Sequence, residues 1–337
     1  MQTRNMRTVV LSVAGSCALA LLLMLTPLKT SNAQQSASGL ADKTVVFVIP
    51  YSAGAYPDVL ARIYAQKLSE ATKGTFIVEN KPGAGGLLAI QSMLRAPPDT
   101  HVFLVTDEQQ RAINPYANKS LSYDPRRDFT PVATFAVGPM FLIGGPSLPA
   151  RNWKEFVDIA KANPGKFNYG AAGGLGSLHN LLAEEMAAKA GLKLVLIPYR
   201  GGAQVDGGLK TGEIHVAFRT YGWIAANEGN PEFKFLAVTT AKRFHMAPNV
   251  PTFRELGVNT EFQTSIILIA AMDTPSDIVA LLNREIVKAS RLPDVEKLLH
   301  TLGGEGSDAT PEQIAADMER ELKYFGEAAK IAGLDPQ

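Results

Sequence analysis

The chain has 337 residues, with 33 lysines and arginines against 32 aspartates and glutamates, five histidines and one cysteine. That near balance of charge argues against a nucleic-acid partner, and a lone cysteine excludes a disulfide framework. The length suffices for two domains of ordinary size.

The first residues speak for a compartment. "MQTRNMRTVVLSVAGSCALALLLMLTPLKTSNA" carries Arg4 and Arg7, then an apolar run to Leu28, then the small-residue triplet Ser31-Asn32-Ala33. This is the pattern of a secretory signal spanning residues 1–33, cleaved after about Ala33. A retained membrane anchor is the alternative. A lipoprotein reading through Cys17 fits less well, because much of the apolar run follows it. Cleavage removes Cys17 and three basic residues, leaving 30 basic against 32 acidic and a net charge of about −2. No later stretch reaches the ~18 consecutive apolar residues of a membrane span, so a soluble periplasmic protein is expected.

Short apolar strands then alternate with helices of 3.6 period, which predicts α/β architecture with mainly parallel sheets. Residues 44–50 read as a buried strand, followed by a helix with Leu60, Ile63, Tyr64, Leu68 and Ala71 on one face. Strands are predicted at 75–80 and 101–106, with a helix after "KPGAGG" between them. "VATFAVGPMFLIGG" reads as one long strand or two successive ones. Asn152 and Glu155 have capping-box spacing ahead of the next helix, and Gly165 follows it as a stop. "FNYGAAGGLGSLHNLLAEEMAAKAG" predicts a strand, a glycine loop and a helix with Leu178, Leu181, Leu182 and Met186 inward. Further strands follow in "LKLVLIPYRGG", "IHVAFRTYGW" and "FKFLAVTT". Thr274, Pro275 and Asp277 are expected to start a helix as N-cap, first position and N3, and Thr310, Pro311 and Gln313 repeat that signature.

Enzyme signatures are missing. The chain has no G-x-S-x-G elbow in its mature part, no H-E-x-x-H and no P-loop. His101, His179, His215, His245 and His300 are widely spaced, which gives a metal site little support. No cofactor is expected. "GAGG" at 83–86 lacks the third glycine of a dinucleotide loop. What remains is a set of glycine-rich loops, "PYSAGAYPD", "NKPGAGG" and "GAAGGLGS", each between a predicted strand and a predicted helix. Free N–H groups and the positive end of a helix dipole suit such loops to a carboxylate. Tight turns alone would also account for their glycines.

At these residues the chain resembles a known family. "PYSAGAYPDVLAR", "ENKPGAGG", "INPYANKSLSYDPRRDFTPVA", "NYGAAGGLGSLHNLLAEEM", "PYRGG" and "FLAVTTAKRFHMAPNVPTFRELG" occur in the order seen in the periplasmic solute-binding proteins of tripartite tricarboxylate transporters, the Bug family. The resemblance covers essentially the whole mature chain. It implies a two-domain periplasmic binding protein fold of type II, a hinge-linked Venus flytrap with the ligand cleft between its domains. The expected division is 39–139 for the first domain, 140–262 for the second and 263–337 for a return to the first with the carboxyl-terminal helices. Hinge strands are expected near 138–142 and 260–264.

By position, the resemblance nominates Tyr51, Ser52, Gly54 and Tyr56 in the first loop, then Gly85 and Gly86. In the second domain it nominates Ala172, Gly173, Gly174, Gly176, Ser177 and His179. Asp58 matches an acidic residue at a helix start, where capping is an equal explanation. Thr106, closing the third strand, joins the set. Departures from the family pattern are informative. Ala53-Gly54-Ala55 replaces Pro-Gly-Gly, and Gln204-Val205 with Gly208 stand where Pro-Ala and then Asp are usual. Arg219 and Arg111 occupy positions often acidic and often His. Arginines in a cleft would suit a second anionic group, although surface arginines are as common. Tyr51, Tyr56, Tyr221 and Trp223 would suit a flat body between polar ends, or else hinge packing.

The expected function is therefore capture of a small carboxylate, an aromatic dicarboxylate such as terephthalate among the options. Delivery to the membrane subunits of a tripartite transporter would follow, and a monomer is expected. The alternatives are a ligand sensor for a membrane signalling partner, or a secreted enzyme with Asp58 or His179 as general base. The enzyme lacks an evident second titrating group.

Overall fold

The computed structural model describes residues 38–97 and 100–334. The expected signal segment lies outside the described residues.

In chain order, β1 (Thr44–Ile49) leads into α1 (Tyr56–Thr72), β2 (Thr75–Asn80), α2 (Leu87–Leu94) and β3 (His101–Thr106). A π-helical turn, Gln109–Ile113, runs on into the short α3 (Asn114–Ala117), and α4 (Pro125–Asp128) precedes the long β4 (Phe129–Gly144). Then come α5 (Trp153–Ala162), β5 (Phe167–Ala172), α6 (Leu178–Ala190), β6 (Leu194–Tyr199), α7 (Gly202–Thr211), β7 (Val216–Thr220), α8 (Tyr221–Ala226) and β8 (Lys234–Val238). The chain returns through β9 (Gln263–Ala271) to α9 (Ser276–Ser290), α10 (Pro293–Leu302) and α11 (Pro311–Ile331).

The "VATFAVGPMFLIGG" run is one strand, and its two ends serve different sheets. Phe129 to Pro139 pairs antiparallel with β9, beside β3, β1 and β2. Met140 to Gly144 pairs instead with β7 and β8, and β5 joins β7 to β6. Parallel pairing holds within β1–β2–β3 and β5–β6–β7. β4 and β9 run antiparallel to their neighbours because they carry the chain out of the first half and back into it. β4 changes partner at Pro139–Met140, and Phe262 N–H donates to Thr239 O at 2.9 Å just before β9.

Each half has its own core. In the first, α1 buries Leu60, Ala61, Tyr64, Ala65 and Leu68 against β1 and β4. Tyr64 stacks on Phe135 at 4.4 Å and donates its hydroxyl to Phe135 O at 2.7 Å, so the ring's polar tip is satisfied inside. Ala71, expected on the inward face, is exposed; its neighbour Thr72 is buried, with its hydroxyl turned back on Leu68 O. In the second half, Trp153, Phe156, Leu181, Leu182, Met186 and Phe218 form the core. A buried aliphatic or aromatic side chain of this kind contributes roughly 1.5–3 kcal/mol.

α11 crosses between them. Ile314 and Met318 pack with Val48, Ile90 and Leu104 of the first half, whereas Leu322, Phe325 and Ala328 pack in the second-half core. Its start carries the expected capping box, Thr310 accepting from Gln313 N and Gln313 from Thr310 N. At α9 the expected register is off by one. Pro275 is the N-cap with extended ψ of 134°, and Thr274 belongs to the preceding turn, where its N–H donates to Ala271 O.

Candidate functional site

The carboxyl ends of β1, β2 and β5 carry the loops that the sequence singled out, and those of β3 and β7 carry Thr106 and Arg219, at the edge where open α/β sheets hold ligands. In the first half, Tyr51 follows β1 and donates its hydroxyl to Asp107 Oδ2 at 2.6 Å, while Gln110 Nε2 donates to the Tyr51 hydroxyl oxygen at 3.4 Å. Burial first, then Asp107, pushes the Tyr51 phenol well above its ordinary value, so it stays a neutral donor. Ser52 and Gly54 are exposed at the loop's tip. Asp58 braces the loop from the first turn of α1, whose N-cap, Ala55, has no side-chain cap. It accepts from Gly54 N at 2.8 Å and from Asn80 Nδ2 at 2.9 Å, and it pairs with Arg62 at 2.9 Å. Burial alone would raise its carboxyl, but those partners hold it below the usual range. With its oxygens engaged, Asp58 shapes the loop.

Gly85 and Gly86 are fixed from behind. Asn114 Nδ2 donates to Gly85 O at 2.9 Å, and a Cβ on Gly86 would lie 2.7 Å from Gln110 Cγ. Thr106 is fully buried and donates to Gln110 Oε1 at 2.8 Å, so it orients that amide and stays off the cleft wall.

In the second half, "AAGGLGS" turns through Gly173, Gly174 and Gly176, all at φ between 70° and 86°, where a side chain would be strained. Ser177 caps α6, accepting from Asn180 N at 3.3 Å and donating to Gly174 O at 2.7 Å. Ala172 closes β5, and His179 lies in the first turn of α6. Burial, then the Arg219 charge, lowers His179 to about 4, so the imidazole is neutral at physiological pH.

The two halves meet at this edge. Gln109 Nε2 reaches Gly176 O at 3.4 Å, and Gly176 packs against Ala117. Gly303, just after α10, abuts Gly222 and Tyr221, while the hydroxyl of Tyr56 lies against Gly304. Tyr56 and Tyr221 thus approach the same glycine pair from opposite halves.

The expected pair of cleft arginines is not formed. Arg111 is 1% exposed and uses all its nitrogens internally, on Glu321, Glu108 and Ser265. The π-helical turn points it inward, where Glu108 and Glu321 together more than offset the cost of burying it. Arg219 is different. At the end of β7 it makes one hydrogen bond, Nη2 to Asp206 Oδ2 at 3.1 Å, and its Nε is buried without a partner. Tyr221 and Trp223 are half-buried, edge-on to Phe244 at 5.2 Å and to Phe233 at 4.8 Å respectively, so they also serve as packing.

Sequence reasoning missed Asp107, Gln109, Gln110 and Asn114, although the polar run "TDEQQ" at the end of a buried strand was a visible signal. It also missed Asp206, which looks like an ordinary helix acid. A cavity of about 880 Å³ lies beside β4, β9 and α11 and shares only Arg111 with the candidate set. Its arginines are already paired, Arg243 with Glu255 and Arg320 with Asp317. The loops above are the better candidate.

The family profile described as tripartite tricarboxylate transporter family receptor matches residues 60–331. A UPF0065 protein of Bordetella pertussis (strain Tohama I) is 31% identical over 297 residues, covering 88% of this chain and 91% of its own. Another from Agrobacterium vitis is 31% identical over 341 residues, covering 96% and 95%. Among solved structures, an R. palustris protein determined with adipate superposes with a TM-score of 0.77 at 29% identity, covering 88% of this chain and 99% of its own. The periplasmic binding protein BugD gives 0.74 at 27% identity, covering 88% and 99%. The fold is that of two-domain, hinge-linked periplasmic binding proteins, with the cleft between the halves.

Proposed function

Because the chain belongs to the tripartite tricarboxylate transporter receptor family, we propose that it captures one small carboxylate in the cleft and presents it to the membrane subunits of a tripartite transporter. The observation that carries this reading is the pair of loops, Tyr51–Tyr56 and Ala172–Ser177, on facing halves joined at Gln109–Gly176. The amino ends of α1 and α6, which these loops enter, suit them to one carboxylate, while the N–H groups of Gly54 and Gly173 are themselves spent on Asp58 Oδ2 and Tyr199 O. Closure of the hinge would then complete the site around it.

A rigid dicarboxylate such as terephthalate is the favoured ligand class. Support comes from Tyr51 and Tyr56 on one side, Tyr221 on the other and the unsaturated Arg219 beyond His179. The adipate found in the R. palustris relative is a dicarboxylate too. Chemistry on the ligand is not part of the reading. Asp58 is committed to bracing its loop, and His179 beside Arg219 is a poor base. The apolar run before Ser31-Asn32-Ala33 supports export to the periplasm, and the receptor is proposed to work as a monomer.

A thermal-shift screen tests this. Terephthalate, adipate, citrate, benzoate and an amino acid are added to the protein without residues 1–33, at concentrations up to millimolar. A ligand at about 100 times its Kd raises stability by about 2.7 kcal/mol. A shift with dicarboxylates is expected. A shift with citrate alone would sink the aromatic ligand class, and no shift with any of them would sink the carboxylate reading.

A further inference from the structure

Arg111 and Arg219 differ in how far their donors are used. Arg111 spends its nitrogens on two carboxylates and a serine. Arg219 is nearly as enclosed, with its side chain 15% exposed, yet it makes one bond, and to a carboxylate that is itself 25% exposed. A guanidinium presents five N–H donors in a planar fork. Enclosing one with a single monodentate partner leaves desolvation largely uncompensated. Burial accordingly lowers Arg219 and raises Asp206, each against the pull of the other.

The surroundings keep this pair poised. The guanidinium lies close to Gly202, where a Cβ would fall 2.6 Å from Nη1, so a side chain at 202 would push the guanidinium aside. His179 beside it is neutral and supplies no counter-charge. Asp206, one turn into α7, is the anionic group on Arg219, and Trp223 and Lys210 are its other neighbours. The Asp206 side chain is 25% exposed, and its Oδ1, like Arg219 Nε, is buried without a hydrogen-bond partner.

We propose that Asp206 is an internal competitor for Arg219, and that the cleft selects dicarboxylates by exchange: the far carboxylate of the ligand takes the guanidinium that Asp206 occupies in the empty protein. This rests on the carboxylate reading of the cleft and adds which charge the far end of the ligand carries. A monocarboxylate would leave the Arg219–Asp206 pair in place and gain nothing there. A ligand with a far ammonium group would meet Arg219 with like charge.

Calorimetric titration with two matched trios tests the exchange. One is adipate, hexanoate and 6-aminohexanoate; the other is terephthalate, benzoate and 4-(aminomethyl)benzoate. Wild type is expected to bind one dicarboxylate at least about tenfold tighter than its monocarboxylate partner. Asp206→Asn is expected to tighten that dicarboxylate several-fold and leave the monocarboxylate within about twofold. Arg219→Gln should bring the two to the same affinity. Circular dichroism and unfolding curves establish that both variants fold. The exchange is overturned if Asp206→Asn leaves dicarboxylate affinity unchanged or weakens it, if Arg219→Gln preserves the discrimination, or if an amino-carboxylate binds best. Equal binding of mono- and dicarboxylates would remove this inference and leave the carboxylate receptor intact. No binding by wild type to any of the six would remove both.

Discussion

Arg111 Nε lies 2.7 Å from Glu321 Oε2, which ties the π-helical turn after β3 to the middle of α11. Glu321 stands between Met318, packed in the first half, and Leu322, packed in the second. The ion pair therefore sits where α11 changes allegiance. Replacing Arg111 with Met would leave Glu108 buried opposite Glu321 with no cation between them. The expected loss is roughly 3–5 kcal/mol, read from urea unfolding, with carboxylate affinity of the folded protein little changed. Normal stability with lost binding would return Arg111 to the ligand.

The pH dependence of stability contains two opposed contributions. Burial first, against the pull of Arg111, raises Glu108 from 4.5 to about 7. The folded protein binds that proton more tightly, so Glu108 contributes stability that grows as pH falls from 7 to 4.5. His179 falls from 6.5 to about 4, so its contribution is lost as pH drops through that window. Each is on the order of 3 kcal/mol across its full range, and they largely cancel between 4.5 and 6.5. His179→Gln should therefore become more stable relative to wild type as pH is lowered to 5, and Glu108→Gln less. Parallel profiles for both variants and wild type would contradict these assignments.

Gly303 has φ of 85°, and a Cβ there would fall 2.4 Å from the backbone nitrogen of Gly222. Neither group is a flexible side-chain end, so Gly303→Ala must push the Tyr221 turn away from the loop after α10. A loss of about 2–4 kcal/mol is expected from strain and clash together. Weakened ligand binding should accompany it, since the same contact joins the halves beside Tyr56. Chemical denaturation and titration of the same preparation check both.

Thr310→Ala removes one arm of the capping box on α11 and should cost about 1 kcal/mol. Thr274→Ala, at a position that only looks like a cap, should cost less than half as much, because its side chain caps nothing in α9. Equal losses would mean that α9 starts at Thr274 after all.

Local pattern made much of this legible. Buried strands and 3.6-period helices were visible because each element's own residues carry the signal, and Thr310-Pro311-Gln313 reads as a start from three neighbouring side chains. Two things hid. Gly138-Pro139 looks like a break, yet β4 passes straight through, because its strand partners change there while its own direction does not. The fates of Arg111 and Arg219 were equally hidden. One meets a carboxylate 210 residues away and the other meets Asp206 from a neighbouring helix, and neither encounter leaves a mark on nearby sequence.

The central claim is that loops from both halves hold one carboxylate, and calorimetric titration of the best ligand from the thermal screen tests it most directly. Wild type should bind one equivalent, and Gly54→Val and Gly174→Val, each at a loop with little around its Cβ, should each weaken binding about tenfold or more. Saturable binding that ignores the second-half substitution, or consumption of the carboxylate during titration, would contradict the account.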